Sequence, residues 1–209
     1  EGAMTEEPVY GAPEFDWGIL ERPTALAMVR GQLEFSWLEL RTRLRTIVDD
    51  AELHWEPAPG ALRVVRRGEE RTPRTLGVGE WVAEWPADVD APNPRTIAWL
   101  VAHLTETVLE RWEWTFGGHR LRREDLDVAG EAGPAVAQLE RWVDAWRSGI
   151  AGLAEDDVFT VGLSQATPID ARAPFGHLVL HINREIIHHG AEIMALTDHY
   201  RAARAASAH

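Results

Sequence analysis

A chain of 209 residues, 45% of them hydrophobic, is long enough for one domain with a substantial core. Its net charge of -13 leaves no concentrated basic surface for the phosphates of a nucleic acid, and no apolar run approaches the roughly 18 residues that a bilayer span needs. There is no cysteine and no lysine, which excludes disulfides, thiolate nucleophiles, cysteine-ligated zinc and Schiff-base chemistry.

No signal-peptide pattern opens the chain, so the expected location is the cytoplasm. Residues 1–3, before Met4, read as a vector-derived remnant, and residues 4–209 as a single domain. The arginine pairs Arg66-Arg67 and Arg122-Arg123 have acidic neighbours and read as solvated loop charges.

The first helix is predicted from about Pro23 to about Leu53, with Leu26, Val29, Leu33, Leu40, Leu44 and Ile47 on one side. A Pro- and Gly-rich segment follows from Pro57 to Pro94, in which only ALRVV and GEWVAEW have short-strand or turn character. A loop of this length is expected to be functional or mobile, covering the site or an interface. The second helix should span about Arg95 to Phe116, turning Ile97, Leu100, Val101, Leu104 and Val108 inward, and Gly117-Gly118 ends it. The third starts near Pro134 and carries a seam of Val136, Leu139, Val143, Trp146, Ile150 and Leu153. The fourth runs from Pro174 to about Tyr200, where an Ala/Arg tail should fray. Four amphipathic helices with little strand signal predict an all-α fold, a four-helix bundle with a long irregular loop between its first two helices.

The chemistry concentrates in the fourth helix, whose segment PFGHLVLHINREIIHHGAEIMAL holds four histidines and two glutamates. At about 100° per residue, Leu178, Ile182, Ile186, Ile193 and Leu196 form one stripe, and Glu185 and His189 fall in its middle. A carboxylate buried there must be protonated, paired with an arginine or bound to a cation. His189, one turn after it, favours a metal.

A metal site needs a ligand from a second element, and His103, within TIAWLVAHLTET of the second helix, is the best candidate. His54, His119, His177 and His199 lie at helix ends or in loops, where solvent is expected. The set His103, Glu185 and His189 gives two histidines and one carboxylate with open positions. This suits one divalent ion, zinc or nickel foremost, with iron or manganese also compatible. His181, His188 and Glu192 flank the set. They form either a polar helix margin or a group that orients the ligands and handles protons. Trp99, Trp112 and Trp114 line a pocket or fill core. The tetrad from Glu185 to His188 also fits the Glu-x-x-His element of di-iron bundles, but no second copy exists. Neither a phosphate-binding Gly-rich loop nor a Gly-x-Ser-x-Gly elbow is present.

TIAWLVAHL and HINREIIHHGAEI resemble the second-helix and last-helix motifs of the DinB/YfiT-like family of metal-binding four-helix bundles. The resemblance covers most of the chain and matches His103 and His189 to two of the family's ligands. Glu185 stands where many members have the other histidine. What the resemblance implies is a thiol-dependent transferase or isomerase with a cosubstrate of the mycothiol type, acting on a small electrophile, or a metal-assisted hydrolase. It also implies a homodimer. The second reading is a non-catalytic metal-binding or stress-associated dimerisation module, and whether the chain is an enzyme at all stays open between the two.

Overall fold

The computed structural model describes residues 15–88, 90–122 and 125–208. Residues 1–3, Met4 and Arg123 lie outside the described residues.

Helix α1, Ala25–Leu44, starts where the Thr24 hydroxyl accepts the Ala27 N–H at 3.1 Å. It buries Leu26, Leu33, Leu40 and Leu44 as the periodicity predicts. It does not continue to Leu53. The chain turns after Arg45, where the Thr46 hydroxyl bonds back to the Arg43 carbonyl, and a new short helix α2, Asp50–Leu53, is capped by Asp49. Ile47 and Leu53 are both buried, so apolar spacing runs straight through a break that only the capping aspartate marks.

The segment from 57 to 94 is not an irregular loop. It forms a three-stranded antiparallel sheet of β1, Val64–Arg66, β2, Arg74–Leu76, and β3, Trp81–Trp85, in the order β1-β3-β2. Val65 pairs with Val82 and Leu76 with Ala83. The fold is therefore mostly helical with a small sheet, rather than all-α. Strands of three residues are too short for alternation to show, and β2 has no apolar run of its own. What holds the sheet is a buried carboxylate. Glu84, 1% exposed, accepts from the Arg63 guanidinium at 2.9 Å, the Arg63 N–H at 3.0 Å and the Arg71 N–H at 2.6 Å.

Helix α3, Ile97–Glu113, begins at buried Thr96, whose hydroxyl accepts the Trp99 N–H at 3.2 Å. Helix α4, Ala132–Ala151, buries the predicted seam from Val136 to Ile150, and Leu153 packs at its margin. Helix α5 spans Phe175–Ser207. It passes beyond Tyr200 without fraying because Arg201 reaches back to Glu52 at 2.9 Å and to the Thr46 carbonyl at 3.0 Å. α3 packs on α4 and α5, and α1 on α5 and α4, around one apolar core.

Arg66 lies over the Trp81 ring, Arg67 donates to the Gly77 and Gly79 carbonyls, and Arg122 pairs with Asp125. Among the described residues no helix is long and apolar enough to cross a membrane.

Candidate metal centre

The α3–α5 contact brings the three predicted ligands together. Glu185 Oε2 lies 3.4 Å from His103 Nε2 and 3.2 Å from His189 Nε2, and the two imidazoles meet edge to face at 4.8 Å. One donor atom from each of the three lies within 4.8 Å of the others. An ion bound tetrahedrally at about 2.0–2.1 Å would separate its ligands by about 3.4 Å. The pairwise distances therefore fit a site for one metal ion, with the His103–His189 side left more open.

The burial of Glu185 is answered at both oxygens. Oε1 accepts from Arg184 at 2.7 Å and has His181 Nδ1 at 3.7 Å, while Oε2 faces the ligand histidines. The bond from His103, then that from His189, outweigh burial and hold the Glu185 carboxyl far below the usual carboxylate range, with Arg184 adding to them. Burial pushes the His189 imidazole down, but its bonds to Glu185 and Glu192 outweigh that and raise it. At Glu192 burial is likewise overridden, by His189 and Arg95, and the carboxyl lies low. Burial holds His181 below the ordinary imidazole value.

Each histidine is supported from behind. His189 Nδ1 lies 3.3 Å from Glu192 Oε2, and Glu192 Oε1 accepts from Arg95 at 3.0 Å. His103 lies parallel to Trp99, with ring centroids 5.2 Å apart, and Trp85 closes in at 6.1 Å. Trp99 is held in turn by its indole N–H, which donates to the Glu84 carbonyl at 2.5 Å. The small sheet therefore buttresses the site from the Trp99 side. His103 Nδ1 is buried without a hydrogen-bond partner among the described residues, its nearest acid being Glu106 at 3.9 Å.

Of the flanking residues, His181 and Glu192 touch ligands, and exposed His188 stacks on the His189 ring at 4.7 Å. His119, His177 and His199 are exposed as expected. His54 is not. Its Nε2–H donates to the Gly130 carbonyl at 2.6 Å and its ring stacks on Trp81, in a corner where glycine at 130 leaves room for the indole. Trp112 packs on Trp142 and Trp114 donates to the Leu121 carbonyl, so of the three tryptophans only Trp99 serves the site.

An open cavity of about 320 Å³ borders His103, His181 and Glu185. Its other walls are Glu106, Thr107, Glu110 and Arg111 of α3 and Thr167 of the 160–174 loop, none of them singled out from the sequence. Glu106 and Glu110 follow His103 by three and seven positions, a spacing that places them on its helix face. Thr167 carries no such signal.

The DinB superfamily model matches residues 32–193. The chain belongs to the DinB superfamily. No curated protein and no solved structure matches it. All three candidate ligands, together with Trp99 and Glu192, fall inside the DinB match, whereas the last four turns of α5 lie beyond it. A possible single-metal site of two histidines and a carboxylate accords with DinB membership.

Proposed function

We propose that His103, Glu185 and His189 hold one divalent ion, zinc or nickel foremost, in a cytoplasmic DinB-type four-helix bundle that is a metal-dependent enzyme, working as a homodimer. The observation that carries this reading is the convergence of His103 Nε2, His189 Nε2 and Glu185 Oε2 from two helices onto one point. When bound, the ion lowers the pKa of a thiol or water and so supplies a nucleophile at neutral pH. DinB membership supports a low-molecular-weight thiol of the mycothiol type as cosubstrate, in transfer to, or isomerisation of, a small electrophile; metal-assisted hydrolysis uses the same residues.

The residues divide the work by position. Glu192 accepts the Nδ1 proton of His189, which leaves Nε2 free to bind. Trp99 and Trp85 cover one side of His103 and keep water from it. The cavity beside Glu185 admits the reacting molecules, and His181, half-buried on its wall, accepts from the Arg184 guanidinium at Nδ1 (2.9 Å), which leaves Nε2 as the atom that takes or returns a proton.

One observation favours the non-catalytic reading. Arg184 and two imidazoles already meet the charge of Glu185, so the cluster is satisfied as it stands. Elemental analysis of protein never exposed to nickel resin separates the two. About one ion per chain, absent from Glu185→Ala and His189→Ala, followed by metal-dependent consumption of mycothiol with an electrophile, is the expected result. Thiol transfer that survives alanine at all three ligands refutes the enzyme mechanism.

A further inference from the structure

We propose that Arg95 is a positioning residue that fixes both ligand histidines at once, His189 through Glu192 and His103 through Trp99. The inference rests on the metal-centre reading above.

Arg95 springs from a backbone held on both sides. The Leu62 N–H donates to the Pro94 carbonyl at 2.8 Å, and the Thr96 N–H and hydroxyl donate to the Leu62 carbonyl at 3.0 and 3.1 Å. Arg95 thus stands where the sheet-bearing segment meets the start of α3, one residue before the buried cap. From there it crosses to α5, where Nε donates to Glu192 Oε1. The other Glu192 oxygen faces His189 Nδ1. A carboxylate only accepts, so this contact keeps a proton on Nδ1 and commits Nε2 to the Glu185 side.

The same guanidinium lies over the Trp99 ring, 5.8 Å from its centroid, and the Trp99 ring in turn lies nearly parallel to His103, at an interplanar angle of 15°. The cation therefore sits behind both imidazoles, which come from different helices. Its pair with Glu192 is about one-quarter exposed on each side, 28% and 25%, so it adds little to global stability. Its effect falls on the orientation of the ligands.

The test is a zinc affinity measurement by competition with a chromophoric chelator, on wild type, Arg95→Gln, Glu192→Gln, the double variant and Arg95→Lys. Arg95→Gln should weaken zinc binding about 10- to 100-fold, at least as much as Glu192→Gln. The double variant should be no weaker than Arg95→Gln alone, and Arg95→Lys should recover most of the loss. Hydrogen exchange at His189 Nδ1, followed by NMR with and without zinc, should be slow in wild type and Arg95→Lys and fast in Arg95→Gln. Wild-type affinity in Arg95→Gln, or losses in the two single variants that simply add, would overturn the proposal. If Arg95→Gln fails to fold, Arg95→Met, which keeps the apolar stem and removes the guanidinium, carries the same comparison against Glu192→Gln and Arg95→Lys. Failure of wild type to bind zinc would remove the metal reading itself. Exchange at Nδ1 in the zinc-free protein then decides the role of Arg95, which an unchanged rate refutes.

Discussion

His103 of α3 and His189 of α5 meet at nearly a right angle, 88° between ring planes, with the Glu185 carboxylate between their Nε2 atoms. Rings that cross this way point their nitrogens at one volume from two helices, with Glu185 and His189 one turn apart on α5 and His103 facing them from α3.

The first prediction concerns that volume. Zinc at about 100 times its Kd should stabilise the wild type by about 2.7 kcal/mol, and Glu185→Ala and His189→Ala should show no such gain. Thermal melts with zinc and with chelator measure the difference. An equal rise in all three proteins would place the zinc elsewhere.

Trp99 has two jobs that substitutions separate. Trp99→Phe keeps a ring against His103 but withdraws the indole N–H from the Glu84 carbonyl, and should cost about 1–2 kcal/mol with metal affinity nearly intact. Trp99→Leu removes the stacked face as well and should weaken metal binding in addition. Urea unfolding together with chelator competition reads both. Full affinity in the leucine variant would show that the ring does not hold His103.

Glu84 supplies a pH dependence. Burial alone would raise its carboxyl, but the Arg63 side chain and the Arg71 N–H outweigh that and hold it below the ordinary value. A depressed carboxyl stabilises the fold above the unfolded value of about 4.3, and that contribution is lost as pH falls through the folded one. Glu84→Gln should therefore cost about 2–4 kcal/mol near neutral pH, less near the unfolded value, and least below the folded one. Denaturant curves across that range test it, and a gap that does not narrow on acidification would refute the assignment.

The far end of α5 depends on a partner distant in sequence. Arg201→Ala leaves Glu52, 4% exposed, without its guanidinium, and should cost about 1–3 kcal/mol while speeding amide exchange in the last turns of α5. Unchanged exchange there would mean that the helix persists by local propensity.

Arg201 also shows what a sequence hides. Its Ala/Arg surroundings carry no amphipathic signal, and the contact that keeps it helical lies 149 residues away at Glu52. Glu185 and His189 were legible for the opposite reason, as polar residues inside an apolar stripe. His103 needed the further argument that ligands come from facing helices. The partner of Glu185 Oε1 was foreseeable only in kind, because neighbours such as Arg184 point different ways on an ideal helix and only a long side chain curls back. Of the sheet, ALRVV and GEWVAEW show strand character where β1 and β3 lie, β2 was hidden by its shortness and lack of an apolar run, and His54 by a pairing with Gly130 that no local pattern encodes.

His103 and Glu185 stand 82 positions apart, with all of α4 between them. Closing a loop of that length has an entropic cost of about 4.5 kcal/mol, against which the apolar packing of α3 on α5 contributes. Zinc fingers have no such core, and their folding waits for the metal. In a chain without cysteine, an ion gripped here would serve as a removable rivet: closed without a disulfide, open to exchange, and set between helices that share one apolar core.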